Sequence, residues 1–193
     1  MSDRSLEVSY FDGIFASDDD PWDLASSDYE RAKFDRTIAA LGDGRFRRAV
    51  EIGCAHGVLT ARLLPLCETL LAIDISAAAL AKARARLGTP PGLVLERMAF
   101  PGEAPHTTGF DLAVLSEVAY YWSDADLKDA AEWLDAHVTS GGHMLFVHYI
   151  GETDYPQSGD RAVRLLKNAL RDTIVDEQSE RHARYRLDLW RRR

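Results

Sequence analysis

Cysteine is scarce in this chain. Cys54 and Cys67 are its only two, and one pair cannot make the disulfide framework of a small secreted domain. Long apolar runs are also missing. No stretch approaches the ~18 residues of a transmembrane helix, and the first residues lack the basic-then-apolar pattern of a secretory leader. The expectation is a cytoplasmic protein without membrane contacts. Positive charge is in deficit: 23 Lys and Arg against 31 Asp and Glu leave a net charge of −8. Nucleic-acid binders usually show a basic face, so no nucleic-acid partner is expected. The acidic balance is compatible with an amine-bearing small molecule. No His, Cys or Asp cluster has metal-ligand spacing, so no metal is expected. Internal repeats and low-complexity segments are absent. What remains is ordinary for a globular domain, with 46% hydrophobic and 28% charged residues. At 193 residues a single domain over 1–193 is the simplest reading. A chain of that size buries about 70% of its unfolded surface.

The chain is organised around residues 49–57, Ala-Val-Glu-Ile-Gly-Cys-Ala-His-Gly. A short apolar strand carries Glu51 near its end and runs into a turn bounded by Gly53 and Gly57. An apolar helical stretch over 58–66 follows. A strand, a glycine turn and a helix bring a nucleotide-like ligand against bare backbone. Dinucleotide folds space the glycines as G-x-G-x-x-G to seat a pyrophosphate on the helix N-terminus. Here Cys54, Ala55 and His56 separate the two glycines, so no glycine stands where a pyrophosphate would press. Glu51 would repel a phosphate and suit a cation. An adenosyl ligand carrying an ammonium and a sulfonium fits better, and the stretch resembles the first motif of S-adenosylmethionine (SAM) methyltransferases.

The rest of the chain alternates. Residues 1–26 read as a polar arm or lid with scattered aromatics, including Trp22, and Asp18-Asp19-Asp20-Pro21 should interrupt regular structure. Ser27 and Glu30 have capping-box spacing, which predicts a helix from about 28 to Gly42-Asp43-Gly44, with Tyr29, Ala32, Lys33, Arg36, Ile38, Ala39 and Leu41 on its usable side. Residues 69–74 read as a buried strand ending in Asp74, which follows Gly57 by 17 residues. A strand-end carboxylate that accepts ribose hydroxyls stands at a spacing of ~20. Ser76 and Gly88 bound a helix over 77–87. Strands follow at 93–96 and 110–116, and Ser123 caps a helix from Asp124 to about Val138. Gly141-Gly142 should turn the chain before a fifth strand over 143–149. A helix over 160–170 and two short strands near 174–175 and 185–189 complete the chain. The two strands should pair antiparallel, and Arg191-Arg192-Arg193 reads as a solvated end.

Alternating strands and helices predict an α/β, Rossmann-like sheet of seven mostly parallel strands, with an antiparallel C-terminal strand and helices on both faces. Ligands in such sheets bind beyond the carboxyl ends of the strands. Gly53 to Gly57, Asp74, Met98 to Phe100, Glu117 to Trp122 and His148 to Gly151 should therefore face one crevice.

Asp20-Pro21-Trp22, Tyr29-Glu30, Glu51-Ile52-Gly53-Cys54-Ala55 and Ser116-Glu117-Val118 with Tyr120-Tyr121 together resemble the NodS (nodulation protein S) family of SAM-dependent methyltransferases. The similarity covers roughly residues 10–150. It implies N-methylation of an amino sugar, the deacetylated end of a chitin-type oligosaccharide, with S-adenosyl-L-homocysteine (SAH) as product. Related methyltransferases carry an Asp for the adenine amine where this chain has Met98.

Position and resemblance assign the roles. Glu51 and Gly53, with Cys54, Ala55 and Gly57, are expected to hold the methionine end of SAM, beneath Trp22. Asp74 should hold the ribose, with Met98 or Phe100 packing on the adenine, and Ile75, Ala99, Ser116 and Glu117 are the remaining cofactor-binding positions. Glu117 is the first choice to bind or deprotonate the amine. Tyr120 and Tyr121 would bound the transfer site, and His148 is a second base; His56 is weaker. Cys54 reads as a small residue that fits the turn rather than as a nucleophile. Two other readings stay open: an O-methyltransferase on a small carboxylate or hydroxyl, and a non-catalytic nucleotide binder. An NAD(P) oxidoreductase is opposed by the glycine spacing.

Overall fold

A computed structural model describes residues 4–193; residues 1–3 of the lead lie outside the described residues. Seven strands form one sheet in the order β3-β2-β1-β4-β5-β7-β6: β1 Phe46–Ile52, β2 Cys67–Asp74, β3 Leu93–Arg97, β4 Phe110–Ser116, β5 Val138–Tyr149, β6 Ile174–Arg181 and β7 Tyr185–Arg192. The five strands β1 to β5 pair parallel, and β7 runs antiparallel to both β5 and β6. This is the sheet expected from the alternation of elements.

Both faces of the sheet are covered, so its central strands are apolar throughout rather than alternating. On one face Val50, Ile52, Ala113 and Leu115 pack under α5 (Asp124–His137) and α6 (Gly159–Leu170). On the other, Ala49, Leu70, Leu112 and Val114 pack against α2 (Asp28–Ala40) and α3 (Val58–Leu63). The helix α4 (Ala77–Leu87) places Leu80 against Ala72 and Cys54. Ser76 and Ser123 cap α4 and α5 as their positions predict, each accepting a first-turn N–H.

Several expectations are corrected. The lead is interrupted at Asp18 to Asp20 as expected, but it also holds an unexpected helix: α1 (Val8–Ser17) buries Phe11 and Phe15, one helical turn apart, and a 3-10 turn begins at Pro21. Asp20 supplies the break between them, its carboxylate accepting the Ala25 and Ser26 N–H groups. Only half of the capping box forms. Ser27 accepts the Glu30 N–H, but the Glu30 side chain turns to Lys33 instead. Lys33 is buried for that ion pair and not as part of an apolar side. Gly141-Gly142 does not end a segment, because β5 runs through it. The β4 pairing shifts there from Phe110↔Val138 to Leu112↔His143, and the glycines take up the difference. The last two strands are longer than expected. Arg191 and Arg192 belong to β7, Arg191 pairing with Glu177 and Arg192 with Asp135.

Candidate active site

The carboxyl ends of β1, β2, β4 and β5 open on one cavity of about 630 Å³, within the usual range for a small-molecule site. Twelve of the thirteen predicted ligand-holding positions line it: Trp22, Glu51, Gly53, Cys54, Ala55, Asp74, Ile75, Met98, Ala99, Phe100, Ser116 and Glu117. Gly57 does not. Its left-handed backbone opens α3, and a Cβ there would stand 2.9 Å from Leu87 Cδ1, so this glycine serves helix packing. Gly53 faces the ligand side: at φ +78 a Cβ would lie 2.1 Å from Val118 Cγ1, itself on the cavity wall. The turn is pinned to the next strand, since the Gly53 and Cys54 N–H groups both donate to the Ile73 carbonyl, at 2.8 and 3.0 Å.

Two buried carboxylates stand at this end. Glu51 is 2% exposed and accepts the Thr60 hydroxyl at 2.6 Å. Burial raises its pKa to about 7; the Thr60 hydrogen bond offsets part of the rise and the Asp74 charge adds to it. Asp74 accepts the Ala55 N–H on one oxygen and the Ser76 N–H on the other, both at 2.8 Å. Burial raises its pKa to about 6 against those hydrogen bonds. Neither carboxylate has an ion-pair partner among the described residues. Cys54 is buried and its thiol is pushed well above its ordinary range by desolvation, which keeps it protonated and unreactive.

The opposite wall is built differently. Glu117 follows β4 with φ +58, and its carboxylate is fully engaged. One oxygen takes the Lys33 ammonium at 2.5 Å; the other accepts the Tyr120 hydroxyl at 2.8 Å and the Tyr149 N–H at 2.7 Å. Lys33, followed by His148 and the Tyr149 N–H, overcomes desolvation and holds Glu117 below the usual carboxylate range. A carboxylate so held is a poor proton acceptor. Lys33, 3% exposed, also donates to Glu30 at 3.0 Å. Tyr120 and Tyr121 both line the cavity, Tyr120 stacked on Tyr155 with ring centroids 5.3 Å apart.

His148 does not reach the cavity. It is fully buried, its Nε2 accepts the Ala119 N–H at 3.1 Å, and desolvation lowers its pKa to about 4. It is a packing residue and not a second base. His56 is also buried and clear of the cavity; its Nε2 lies 3.0 Å from Asp20 Oδ1 and ties the lead to the glycine turn. The lead closes one side of the cavity with Leu6, Phe11, Phe15 and Trp22, its Leu6 N–H donating to the Tyr121 carbonyl at 3.0 Å. Trp22, Ala55 and Glu117, all lining residues, have left-handed backbones without being glycine. Strain of that kind collects at functional sites.

Sequence reasoning missed one group, the wall of Tyr29, Glu30, Lys33 and Arg184, beside the expected Tyr149. The Arg184 guanidinium lies 4.2 Å from the Tyr29 ring centroid and 5.7 Å from that of Tyr149. The i,i+3 spacing of Glu30 and Lys33 was the available signal. No three His, Cys, Asp or Glu side chains among the described residues are grouped to hold a metal ion. No helix among them is long and apolar enough to cross a membrane.

The family model for nodulation protein S (NodS) matches residues 15–151. A nodulation protein S of Rhizobium tropici is 32% identical over 161 residues, 75% of this chain and 65% of that protein. An uncharacterized methyltransferase of Mycobacterium tuberculosis is 29% identical over 132 residues, covering 68% of this chain and 62% of its own. The chain thus spans less than two thirds of the curated relatives it matches. Among solved structures, the N-methyltransferase NodS of Bradyrhizobium japonicum WM9, in complex with SAH, superposes with a TM-score of 0.83 at 22% identity, over 96% of this chain and 97% of that one. At that identity the likeness speaks for the fold.

Proposed function

This chain belongs to the nodulation protein S (NodS) family, and on that premise we propose that it is a SAM-dependent methyltransferase acting on the nitrogen of a small amine, an amino sugar of the chitin-oligosaccharide type being the expected acceptor. The observation that carries the reading is the pair of uncompensated carboxylates at the glycine turn. A buried Glu51 with its pKa near 7 lacks a cation, and an amino-acid ammonium would supply one. Asp74, beside the turn, has the placement of a carboxylate that accepts ribose hydroxyls. The fit extends to Ile75, Met98 and Phe100, an apolar setting for a purine.

SAM, when bound, supplies a methyl group on a positively charged sulfur that departs as a neutral thioether. The protein's work is therefore orientation and exclusion of water, which can account for ~7–11 kcal/mol of a barrier. Tyr120, Tyr121 and Trp122 bound the apolar side, and the segment through Phe11, Phe15 and Trp22 serves as a lid that keeps water out. The acceptor nitrogen enters from the wall of Tyr29, Glu30 and Glu117.

Calorimetric titration with SAH, followed by mass spectrometry of products from a panel of amines, hydroxy acids and carboxylates, tests the reading. Micromolar SAH binding and methyl on nitrogen are expected. Methyl appearing only on oxygen would replace the amine acceptor with a hydroxyl or carboxylate one. SAH binding with no transfer to any acceptor would leave a nucleotide binder.

A further inference from the structure

The acceptor wall has two buried polar atoms that accept or donate no hydrogen bond among the described residues. The Tyr29 hydroxyl is buried and has no hydrogen-bond partner among the described residues. Glu30 Oε2 is likewise buried and accepts no hydrogen bond, its one partner among the described residues being the Lys33 ammonium, an ion pair at 2.8 Å. Both residues line the cavity, and Glu30 is only 7% exposed. A buried polar group left unmade costs about 1–3 kcal/mol, so the Tyr29 hydroxyl is expensive unless a ligand completes it, and Glu30 Oε2 keeps room for a donor besides Lys33. Glu117, three hydrogen bonds deep in Lys33, Tyr120 and Tyr149, has little left to offer.

Resting on the methyltransferase reading above, we propose that Glu30, and not Glu117, is the catalytic carboxylate that binds the acceptor's amine and takes its proton, with the Tyr29 hydroxyl holding a neighbouring acceptor hydroxyl. The acceptor is thus a polyhydroxylated primary amine. Arriving as an ammonium, it gives one N–H proton to Glu30, which becomes a carboxylic acid. The freed lone pair forms the N–CH₃ bond as the S–CH₃ bond breaks, its electron pair returning to sulfur. The product is a methylammonium and a neutral thioether, and Glu30 returns its proton to solvent. Lys33 is the positioning residue. It neutralises Glu117 and holds Glu30, its ammonium 3.0 Å from Oε1 and 2.8 Å from Oε2, so that the carboxylate stays at the acceptor wall. The groups facing Glu30 are Tyr29 and Lys33 on its own helix, Glu117 from beyond β4 and Arg184 ahead of β7. Desolvation raises the Glu30 pKa in spite of Lys33, which favours proton uptake over what Glu117 can do.

The test uses the full chain loaded with SAH and, as probe, a chitin-type pentamer with a free amine at its non-reducing end; its fully N-acetylated counterpart is the control. Wild type should bind the amine form at least about tenfold more tightly than the acetylated one. Glu30→Gln keeps the side-chain shape and an acceptor for Lys33. It should weaken binding of the amine form by about tenfold or more while SAH affinity stays within about twofold, the loss of one charge-assisted hydrogen bond. In the pH profile of kcat/KM for the amine, measured at saturating SAM so that Glu51 and Asp74 do not contribute, the acid limb of wild type should vanish in Glu30→Gln. Tyr29→Phe keeps the ring against Arg184 and should weaken the amine probe by about three- to tenfold without lowering the unfolding temperature. It also carries the test if Glu30→Gln does not fold. A Glu30→Gln protein with unchanged probe binding and pH profile, a Tyr29→Phe protein with unchanged probe binding, or a wild type indifferent to acetylation overturns the assignment. Loss of SAH binding in wild type would instead overturn the methyltransferase reading, and it is seen in a separate titration.

Discussion

The two ends of the cavity hold the same chemical group in opposite states. At the glycine turn, Glu51 and Asp74 are buried among backbone N–H groups and one hydroxyl, and burial raises both pKa values, to about 7 and about 6. At the acceptor wall Glu117 is less deeply placed, its side chain 19% exposed, and with Lys33 2.5 Å away the Glu117 pKa is lowered. One end is left negative and uncompensated and is suited to a ligand that brings its own positive charge. The other contains its counter-ion and is held rigid before any ligand arrives. Burial alone does not say whether a carboxylate binds, catalyses or props the fold; its partner does.

The sharpest way to break this contrast is to remove the counter-ion. Lys33→Met leaves Glu30 and Glu117 facing each other with no cation between them in a site where the lysine is 3% exposed. Breaking a buried pair in this way costs about 3–5 kcal/mol. Urea denaturation at neutral pH should show a loss of that size. A loss below about 1 kcal/mol would mean that the wall is solvated and that its pairing is incidental.

A smaller effect is expected at the other end, where no internal ion pair is lost. Asp74→Ala removes an acceptor for the Ala55 and Ser76 N–H groups together with the proposed ribose contact. Hydrogen bonds to a charged group are worth about 1.5–3 kcal/mol, so SAH affinity should fall by roughly 10- to 150-fold in a calorimetric titration. An unchanged affinity would remove Asp74 from the ligand site. The amine probe should be affected far less, which separates the two ends functionally.

The two ends also differed in how far the sequence disclosed them. The glycine turn was legible because every part of it is local: Glu51, Gly53 and Ala55 lie within five residues, and Asp74 closes the next strand. The strand β4 and the helix α4 were found at their observed limits for the same reason, each bounded by a cap or turn residue within its own stretch. The acceptor wall was not legible. Lys33 and Glu117 stand 84 positions apart, and Arg184 reaches the cavity from the connection between β6 and β7. The spacing of Ser27 and Glu30 pointed to a capping box, a local interaction, and the tertiary partner prevailed over it. His148 was misplaced because only a strand's register tells which face a side chain takes, and here it turns into the core opposite Arg186. Phe11 and Phe15 carried a helical spacing that the aspartate run after them obscured.

Proton linkage gives the finest comparison between the ends. Glu51 and Asp74 have folded-state pKa values raised above the ordinary 4.5 and 3.8. The folded protein therefore binds more protons than the unfolded one between those values and about 6 to 7. Their contribution to stability is full at low pH and is lost as pH rises through the folded values. Glu117 runs the other way: its lowered pKa gives a contribution present above the ordinary carboxylate value and lost on acidification. A cationic ligand at the glycine turn favours the charged carboxylates and expels their protons, so SAH should bind more tightly as pH rises from about 5 to 7, by no more than about tenfold per pH unit for each group. Titrations in two buffers of different ionisation heat should show proton release over that window. Binding of SAH that is flat in pH and releases no protons would mean that Glu51 and Asp74 are already charged in the free protein, and the asymmetry between the two ends would then lie in geometry alone.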